Sequence, residues 1–555
     1  MIRAKLSLLV LAGCLASACG SRPGYWDQPS PSPGVSTYGL DQGVGLVDAN
    51  DNRLTFLTAL PDQRLSAQRL ELPHSLVATV VSPDQKSLFF LAAGDPPSPT
   101  GNAQLPSLEW VAPSSVAAAA PGTMVSTQYW MSDPLQNFAV DPQQHWAVAY
   151  AGAQTNFVQV ANELVLFDLT QPPNPATPTG KLDGTRPRNP IARDIQSFGG
   201  IPKQLVFTGA LDIGGGVVQH LLIIETDIDV TLVPLEGAFP VGSATATPET
   251  TVRLTSGADG TMVTPAGVAV YPGDATGPAR IAIRSSDDTN IFTLVLGSSA
   301  PTINLTDVGG IPSDIAFVKT DAATNGGLRV AALVPLNSSA VLVDPDTSLT
   351  TTVALGAAYS SLSLVTQALG SAAQNVDVAL LWGAPAGATS YEVALWTLVD
   401  TVDMPYRSVE GVAVSQAVRA VDDVPGNAQL KVLEVAGGNE FVVLNLTNQT
   451  AAPLDTTQSA TLTIAPDGER MWVFAPGGTN LAAIDFTDLN PVRLETALPI
   501  SAVYDVARVD NTAGSPQRSL IAIHNQGTVG ATVFDALKPA PATSRRADAL
   551  LLEGP

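Results

Sequence analysis

Three short stretches group side-chain oxygens closely enough to suggest a metal site. They are VDANDN (47–52), SSDDTN (285–290) and DPDTS (344–348). Carboxylate and amide oxygens are the ligands that Ca²⁺ prefers in proteins. The candidate calcium ligands are Asp48, Asn50, Asp344 and Asp346. None of the stretches has the length or the closing Glu of an EF-hand, and Asp or Asn in a turn also bonds its own backbone. Both interpretations stay open, and no other cofactor is expected.

Histidines and nucleophile motifs point to no reaction. The four histidines are His74, His145, His220 and His524, and none has the HxH or HExxH spacing of a zinc site. We expect structural roles for all four. No G-x-S-x-G, S-x-x-K or G-x-x-x-x-G-K-[ST] stretch occurs. The sequence therefore assigns no catalytic or cofactor-binding residue, and it favours a non-enzyme over an enzyme.

The charge of the chain excludes one large class of partner. Its 27 Lys and Arg residues face 50 Asp and Glu residues, for a formal charge of −23. Nucleic-acid binding depends on basic side chains against phosphates, so no nucleic-acid partner is expected. The same sign disfavours electrostatic docking onto anionic lipid.

The first residues have the pattern of a targeting signal. A basic start, MIRAK, precedes LSLLVLAGCLASACGS, an uncharged stretch too short to span a bilayer and suited to a secretory signal. Its small residues before cysteine resemble the bacterial lipoprotein lipobox. The resemblance implies cleavage before a cysteine that carries the lipid, an anchor in the membrane of the bacterial cell envelope, and acylation by palmitate among other chains. Gly20, rather than Asp, after Cys19 favours the outer membrane by the same resemblance.

Two cysteines compete for acylation. LAGC, ending at Cys14, matches the lipobox better, whereas Cys19 gives a signal of more ordinary length and is the preferred site. The predicted organisation is a signal peptide at 1–18, a Pro/Ser/Gly-rich tether at 19–36, and one domain at 37–555. No other cysteine exists, so the domain has no disulfide. No later stretch is long and apolar enough for a transmembrane helix.

A hairpin signature recurs along the domain. TIAPDGERMWVF (463–474), VVSPDQKSLFFL (80–91) and AVDPQQHWAVAY (139–150) each place a Pro and a polar turn between apolar runs. Proline presets one turn residue, and Asp or Gly tolerates the next. Because the acids change from copy to copy while the turn persists, we interpret these stretches as turns of a repeated unit.

A second element ends in Asp or Asn and a polar turn. Examples are GLVDAND, LVLFDLT, AVLVDPDTS, FVVLNLT, LAAIDFTD and ATVFDAL. Together the two elements describe a four-stranded unit of about fifty residues, the period of a β-propeller blade. Unit starts are predicted near Leu76, Gln136, Ile195, Ala266, Ser313, Ser361, Val412, Thr461 and Ala502.

These patterns predict an all-β fold that consists of a single propeller. Eight blades are favoured, with seven or nine possible. The segment 37–73 is expected to complete a blade begun by the C-terminus. SPDQ (82–85) and APDG (465–468) resemble the YVTN/WD40-like propeller repeats of bacteria, although the WD dipeptide and Gly-His of eukaryotic WD40 units are missing. The resemblance implies the fold and no activity.

Fold and address together suggest a function. A propeller presents loops on a rigid disc, which suits protein partners. The favoured function is a lipid-anchored, non-catalytic binding or assembly scaffold with an envelope protein partner. The alternative is a propeller enzyme, lactonase-like or another hydrolase, with its site in the central channel. A cluster of Asp, Glu, His or Asn from several blades at one channel mouth would favour the enzyme.

Overall fold

The computed structural model describes the chain in segments between residues 35 and 547. The described residues are 35–40, 43–59, 65–95, 104–116, 123–131, 133–152, 163–170, 192–196, 200–214, 216–236, 249–256, 260–274, 277–297, 301–321, 327–366, 376–383, 391–398, 407–414, 416–456, 458–465, 468–495, 499–509, 518–525, 531–535 and 545–547. The signal peptide, both cysteines and nearly all of the tether lie outside them.

Within the described residues, ten antiparallel four-stranded sheets follow one another in chain order. Sheet 1 contains β1 (Val35–Leu40), β2 (Gly43–Asp48), β3 (Arg53–Ala59) and β4 (Leu65–Glu71). Sheet 2 contains β5 (Leu76–Val81), β6 (Leu88–Ala92), β7 (Ser107–Pro113) and β8 (Met124–Trp130). Sheet 3 contains β9 (Asn137–Val140), β10 (Trp146–Tyr150), β11 (Glu163–Asp168) and β12 (Ala192–Gln196). Sheet 4 contains β13 (Pro202–Phe207), β16 (Leu221–Thr226), β17 (Asp229–Pro234) and β18 (Thr250–Arg253). A small hairpin, β14 (Leu211–Asp212) with β15 (Val218–Gln219), is inserted between its first two strands.

The remaining sheets follow the same order. Sheet 5 contains β19 (Pro265–Tyr271), β20 (Arg280–Ser285), β21 (Asn290–Val295) and β22 (Thr302–Asp307). Sheet 6 contains β23 (Asp314–Lys319), β24 (Leu328–Val334), β25 (Ser339–Val343) and β26 (Thr350–Ala354). Sheet 7 contains β27 (Ser361–Leu364), β28 (Val378–Trp382), β29 (Tyr391–Thr397) and β30 (Arg407–Val414). Sheet 8 contains β31 (Val418–Asp423), β32 (Leu430–Val435), β33 (Glu440–Asn445) and β34 (Thr450–Asp455). Sheet 9 contains β35 (Thr461–Ile464), β36 (Arg470–Phe474), β37 (Asn480–Asp485) and β38 (Pro491–Glu495). Sheet 10 contains β39 (Ile500–Val509), β40 (Arg518–Asn525), β41 (Ala531–Asp535) and β42 (Arg545–Ala547).

Apolar clusters fill every gap between consecutive sheets. One joins Phe56 of sheet 1 to Phe90 of sheet 2, and equivalent clusters continue to the pair formed by sheets 9 and 10. Both faces of each middle strand are therefore covered. This explains the uninterrupted apolar runs, such as the fully buried strand β24, where a half-exposed strand would alternate.

The ring closes by packing. Strand β39 of sheet 10 contacts β1, β2 and β3 of sheet 1. Sheet 1 is complete with its own four strands, so the expectation that residues 37–73 would share a blade with the C-terminus is wrong. First strands of neighbouring sheets contact one another, as β19 does β23 and β23 does β27. The first strands therefore surround the central channel.

The all-β propeller with four-stranded blades is confirmed, and its sheets outnumber the eight that were favoured. Nine predicted starts plus the N-terminal segment account for all ten sheets. Two starts are misplaced: Ile195 lies in β12, whereas sheet 4 begins at Pro202, and Val412 lies in β30, whereas sheet 8 begins at Val418. The strand β1 begins at Val35, within the predicted tether.

The recurring turns have one backbone geometry. Gln85, Gln144 and Gly468 have φ of 56°, 58° and 67°, and the N–H of each donates to the carbonyl three residues earlier at 2.8, 2.8 and 2.9 Å. The same conformation holds three different residues, which confirms that the repeat is structural.

Candidate functional site

Antiparallel sheets place the loops on two faces of the ring. The entry face holds the loops before each first strand and those between second and third strands, such as 308–313 and the 3₁₀ turn Pro335–Asn337. The turn face holds the first hairpin turns and the loops after third strands, such as 82–87 and 344–349. A site on either face therefore combines loops from several sheets.

The first calcium candidates lie in a turn that uses their oxygens. Asp48 Oδ1 accepts the N–H groups of Asn50 at 3.1 Å and Asp51 at 3.2 Å. Asp168, Asn445 and Asp485 also end a strand, in each case the third of its sheet, whereas Asp48 ends β2, the second strand of sheet 1. Each accepts the N–H two residues later in the same way. The acid at this position therefore serves the turn in several sheets, and calcium binding there stays a prediction.

The second pair of candidates faces arginines. Asp344 Oδ2 lies 3.4 Å from Arg329 Nη1, and both side chains are buried. Asp346 accepts two bonds from Arg280, whose own side chain is buried. A calcium ion at this turn would have to displace these guanidinium groups. Among the described residues, no three His, Cys, Asp or Glu side chains are grouped so that they could hold a metal ion.

Two distant histidines meet on the turn face. Trp146 lies between them, with ring centroids 5.4 Å from His145 and 5.5 Å from His220. His220 Nδ1 lies 2.5 Å from Glu236 Oε1. His74 instead contacts Asp95 on the entry face at 2.8 Å, and His524 lies in β40. Of the three histidines whose side chains are described, His74 thus lies on the opposite face from His145 and His220.

A cavity of about 640 Å³ opens at the channel, on the side of the first hairpin turns. Sheets 1, 2 and 9 contribute to its wall, including Tyr38, Val81 and Ile464. Its complete lining is Thr37, Tyr38, Gly39, Leu40, Val81, Ser82, Pro83, Gln85, Thr463 and Ile464. Among the described residues, this lining contains no acid, histidine, lysine or arginine.

Charged groups from three sheets do approach one another near the other end of the channel. Glu225 of β16, Arg284 of β20 and Asp314 of β23 lie close enough for Arg284 to lower the pKa of both acids. Burial is the larger influence and raises the pKa of each above its usual range. Glu225 is only 4% exposed, and among the described residues its Oε2 has no hydrogen-bond partner.

The sequence contained a signal for Glu225 that was not used. In LLIIET the apolar residues alternate between the two neighbouring sheets, with Leu221 and Ile223 packed towards sheet 5. Glu225 continues this series at the next position on that face. An acidic side chain at a position that faces the apolar core is costly to bury, so it marks Glu225 as a candidate functional group.

An apolar patch projects from the entry face over sheets 5 and 6. We call Ile311 and Leu336 the entry patch; they are 47% and 88% exposed. Their loops are joined, because Asn337 Nδ2 donates to the Gly309 carbonyl at 3.2 Å. Asp307 holds the same loop through the Gly309 N–H at 2.9 Å. Sequence reasoning missed this patch, since PLN between two strands looks like an ordinary turn.

Two acids lie on the loop next to the entry patch. The next loop, 286–289, carries Asp287 and Asp288 and is bonded to the patch loop through the Val308 N–H and the Thr289 carbonyl at 3.0 Å. Hydrogen bonds from Ser285 and Thr264 hold the pKa of Asp287 below its usual range, although burial opposes them. The patch is thus apolar and lies beside a loop that carries two acids, and Arg284 also reaches the patch loop by donating to the Pro312 carbonyl at 3.4 Å.

A second cavity, of about 450 Å³, opens beside the apolar cluster that joins sheets 8 and 9. Buried Phe441, Phe474 and Leu481 contribute to its apolar lining. Asp455 of β34 and Arg493 of β38 line it from opposite sheets, and both side chains are exposed. This is a pocket with an apolar lining and one charge of each sign.

Among the described residues, no helix is both long enough and apolar enough to cross a bilayer. The lipid anchor and the envelope address therefore remain predictions from residues 1–36.

Known proteins are similar to this chain only at low sequence identity. No protein-family model matches the chain, and no curated protein matches it in sequence. Similar solved structures include the dihydro-heme d1 dehydrogenase NirN (10% identity, 86% of this chain and 76% of that one, TM-score 0.38). Sqt1 of Saccharomyces cerevisiae is similar at 12% identity over 73% and 96% of the two chains, with a TM-score of 0.38. Apo AztD of Citrobacter koseri is similar at 11% identity over 84% and 97%, with a TM-score of 0.34.

At these identities the similarities concern the fold alone. The ring of four-stranded antiparallel sheets is by itself what makes the fold a β-propeller.

Proposed function

We propose that this protein is a lipid-anchored propeller of the bacterial cell envelope, at the outer membrane, that binds a protein partner as a non-catalytic scaffold. The observation that carries the binding role is the entry patch. Leu336 is 88% exposed at the tip of a 3₁₀ turn, beside Ile311 and a loop that carries two acids. Apolar groups rimmed by polar ones are typical of protein-binding surfaces.

The chemistry of the patch suggests the chemistry of the partner. An apolar side chain on the partner would cover Leu336 and Ile311, and lysine or arginine around it would face Asp287, Asp288 and Asp307. Such charge complementarity gives specificity and speeds association. The rigid ring beneath the patch lowers the entropy cost of binding.

A pair of leucines on opposite faces of sheet 6 allows a controlled test. Leu336→Asp changes the entry face, and Leu349→Asp changes the turn face at a residue that is 71% exposed. Each full-length variant would be expressed in the native host, cross-linked in intact cells and purified. We expect a partner that wild type and Leu349→Asp capture and Leu336→Asp loses. If all three capture the same proteins in equal amounts, the entry patch is not the binding surface.

The anchor has its own test. Metabolic labelling with an alkyne analogue of palmitate should label the wild-type protein, and Cys19→Ser should abolish the label. Cys14→Ser is the matched control and should keep it. Labelling that survives Cys19→Ser and disappears with Cys14→Ser would move the acylation site, and an unlabelled wild type would remove the anchor from the proposal.

One observation favours the alternative of a channel hydrolase. Glu225 is buried, its Oε2 is unpartnered among the described residues, and its pKa is raised by burial, which are properties of a general acid or base. Wild type and Glu225→Gln would be compared on a panel of lactones and esters. Turnover that Glu225→Gln reduces about a hundredfold or more supports the enzyme; the absence of wild-type turnover on the panel counts against it.

A further inference from the structure

The cavity between sheets 8 and 9 has an unusual charge arrangement. Asp455 and Arg493 line it from facing sheets. Among the described residues, neither side chain forms an ion pair or a side-chain hydrogen bond, with the other or with a third group. Two opposite charges therefore line one cavity, each without a side-chain partner among the described residues.

The size and the lining of the cavity suit a small molecule. Its volume of about 450 Å³ falls in the range of small-molecule pockets. Pro453, Leu454 and Pro491 offer an accessible apolar surface above the buried Phe441 and Leu481. Asn480 and Gln458 add groups that donate and accept hydrogen bonds. A site of this kind holds a mainly apolar ligand and orients it by a few polar contacts.

The two charges specify the ligand further. A guanidinium group binds a carboxylate through two parallel hydrogen bonds, and a carboxylate binds an ammonium group. We propose that this cavity binds an apolar zwitterion, such as an amino acid with an aromatic side chain. Its carboxylate would bind Arg493, its ammonium group Asp455, and its side chain the apolar lining. This site is independent of the entry patch and of the scaffold role.

Three probes of matched shape separate the two charges. L-Phenylalanine carries both groups, 3-phenylpropionate lacks the ammonium group, and 2-phenylethylamine lacks the carboxylate. Titration calorimetry on the full chain should give the tightest binding for L-phenylalanine. We expect each of the other two to bind about tenfold more weakly, because each leaves one charge without its partner.

Variants then assign each contact. Arg493→Gln should weaken L-phenylalanine and 3-phenylpropionate about tenfold and leave 2-phenylethylamine unchanged. Asp455→Asn should weaken L-phenylalanine and 2-phenylethylamine about tenfold and leave 3-phenylpropionate unchanged. Ala482→Phe, which fills the cavity, should weaken all three probes. Circular dichroism of each variant would verify that the fold is intact.

Matched controls lie in sheet 8 outside the cavity. Arg419→Gln and Asp423→Asn each remove an exposed charge of the same type, and those charges are paired with Glu434 and Lys431. Neither should change binding. The proposal is overturned if wild type binds no L-phenylalanine up to about 10 mM, or if Arg493→Gln, Asp455→Asn and Ala482→Phe bind it as wild type does.

Discussion

Arg280 and Asp346 form a bidentate ion pair that joins sheet 5 to sheet 6. Nε lies 3.1 Å from Oδ1, and Nη2 lies 2.9 Å from Oδ2. The arginine side chain is 6% exposed and the aspartate 33%. Asp346 belongs to the DPDTS stretch that suggested calcium, so its oxygens hold two sheets together.

Removal of the aspartate should destabilise the ring. Asp346→Ala removes the carboxylate from a buried guanidinium group and leaves it only the Pro278 carbonyl as acceptor. We expect the free energy of unfolding to fall by about 2 kcal/mol. Urea unfolding followed by tryptophan fluorescence would measure it. The control is Asp51→Ala, which breaks the exposed Arg53–Asp51 pair at 3.6 Å and should cost less than about 1 kcal/mol. Equal losses in both variants would contradict the role given to Arg280.

Calcium should have little effect on stability. Asp344 and Asp346 already face Arg329 and Arg280, so an added cation finds no open oxygen cluster at this turn. We expect the melting temperature to change by less than about 1 °C between EDTA and millimolar Ca²⁺. A saturable rise with Ca²⁺ that Asp346→Ala abolishes would show the opposite.

Glu109 should make stability depend on pH. Burial raises its pKa to about 7, although a hydrogen bond from Ser126 opposes this, and the side chain is 3% exposed. Because the folded-state pKa lies above the unfolded value, the protonated acid stabilises the fold fully below about pH 4.5. That contribution is lost as pH rises through 7.

Glu109→Gln keeps the acceptor for Ser126 and removes the titration. Relative to wild type, we expect it to gain on the order of 3 kcal/mol in unfolding free energy between pH 4.5 and pH 8. Urea midpoints at four pH values would show the trend. Glu71→Gln, at an exposed position of β4, is the control and should follow wild type. A pH-independent difference for Glu109→Gln would refute the prediction.

Gly468 should tolerate no side chain. Its φ is +67°, and an added Cβ would lie 1.8 Å from the Pro425 carbonyl oxygen in the neighbouring sheet. Gly468→Ala should therefore cost at least about 2 kcal/mol. Gly260→Ala is the control, because Gly260 has φ +72° and open space around it, so that only backbone strain of about 1 kcal/mol applies. Thermal unfolding would measure the loss of stability in both variants. Similar losses would mean that Pro425 moves away from the added Cβ at little cost.

The repeat was predictable because its signals are local. Pro and a polar residue define the first turn, and Asp or Asn bonds the backbone two residues onward at the second. Both signals act within a few residues, as the bonds of Asp48 and Asp485 show. Units were misplaced where another element intervenes: before sheet 4, where β12 was mistaken for a first strand, and before sheet 8.

The candidate functional residues were less predictable than the repeat, because the residues that meet in space are far apart in the chain. Glu225, Arg284 and Asp314 come together only because consecutive sheets pack face to face. Leu336 is exposed because its turn projects from the ring, and nothing in Pro335–Asn337 distinguishes it from a covered turn. The candidate ligands Asp344 and Asp346 acquire arginine partners, one of which comes from another sheet.

The sequence by itself determined the all-β character, the four-stranded unit and its turns, since these follow from side-chain periodicity and local hydrogen bonds. Only the tertiary structure decided the number of sheets in the ring, its closure by packing between sheets 10 and 1, and the pairing of distant charges. It also decided which cavities remain, including the one lined by Asp455 and Arg493. The physical reason is that these features depend on distances between sheets, which packing sets and which a local pattern does not encode.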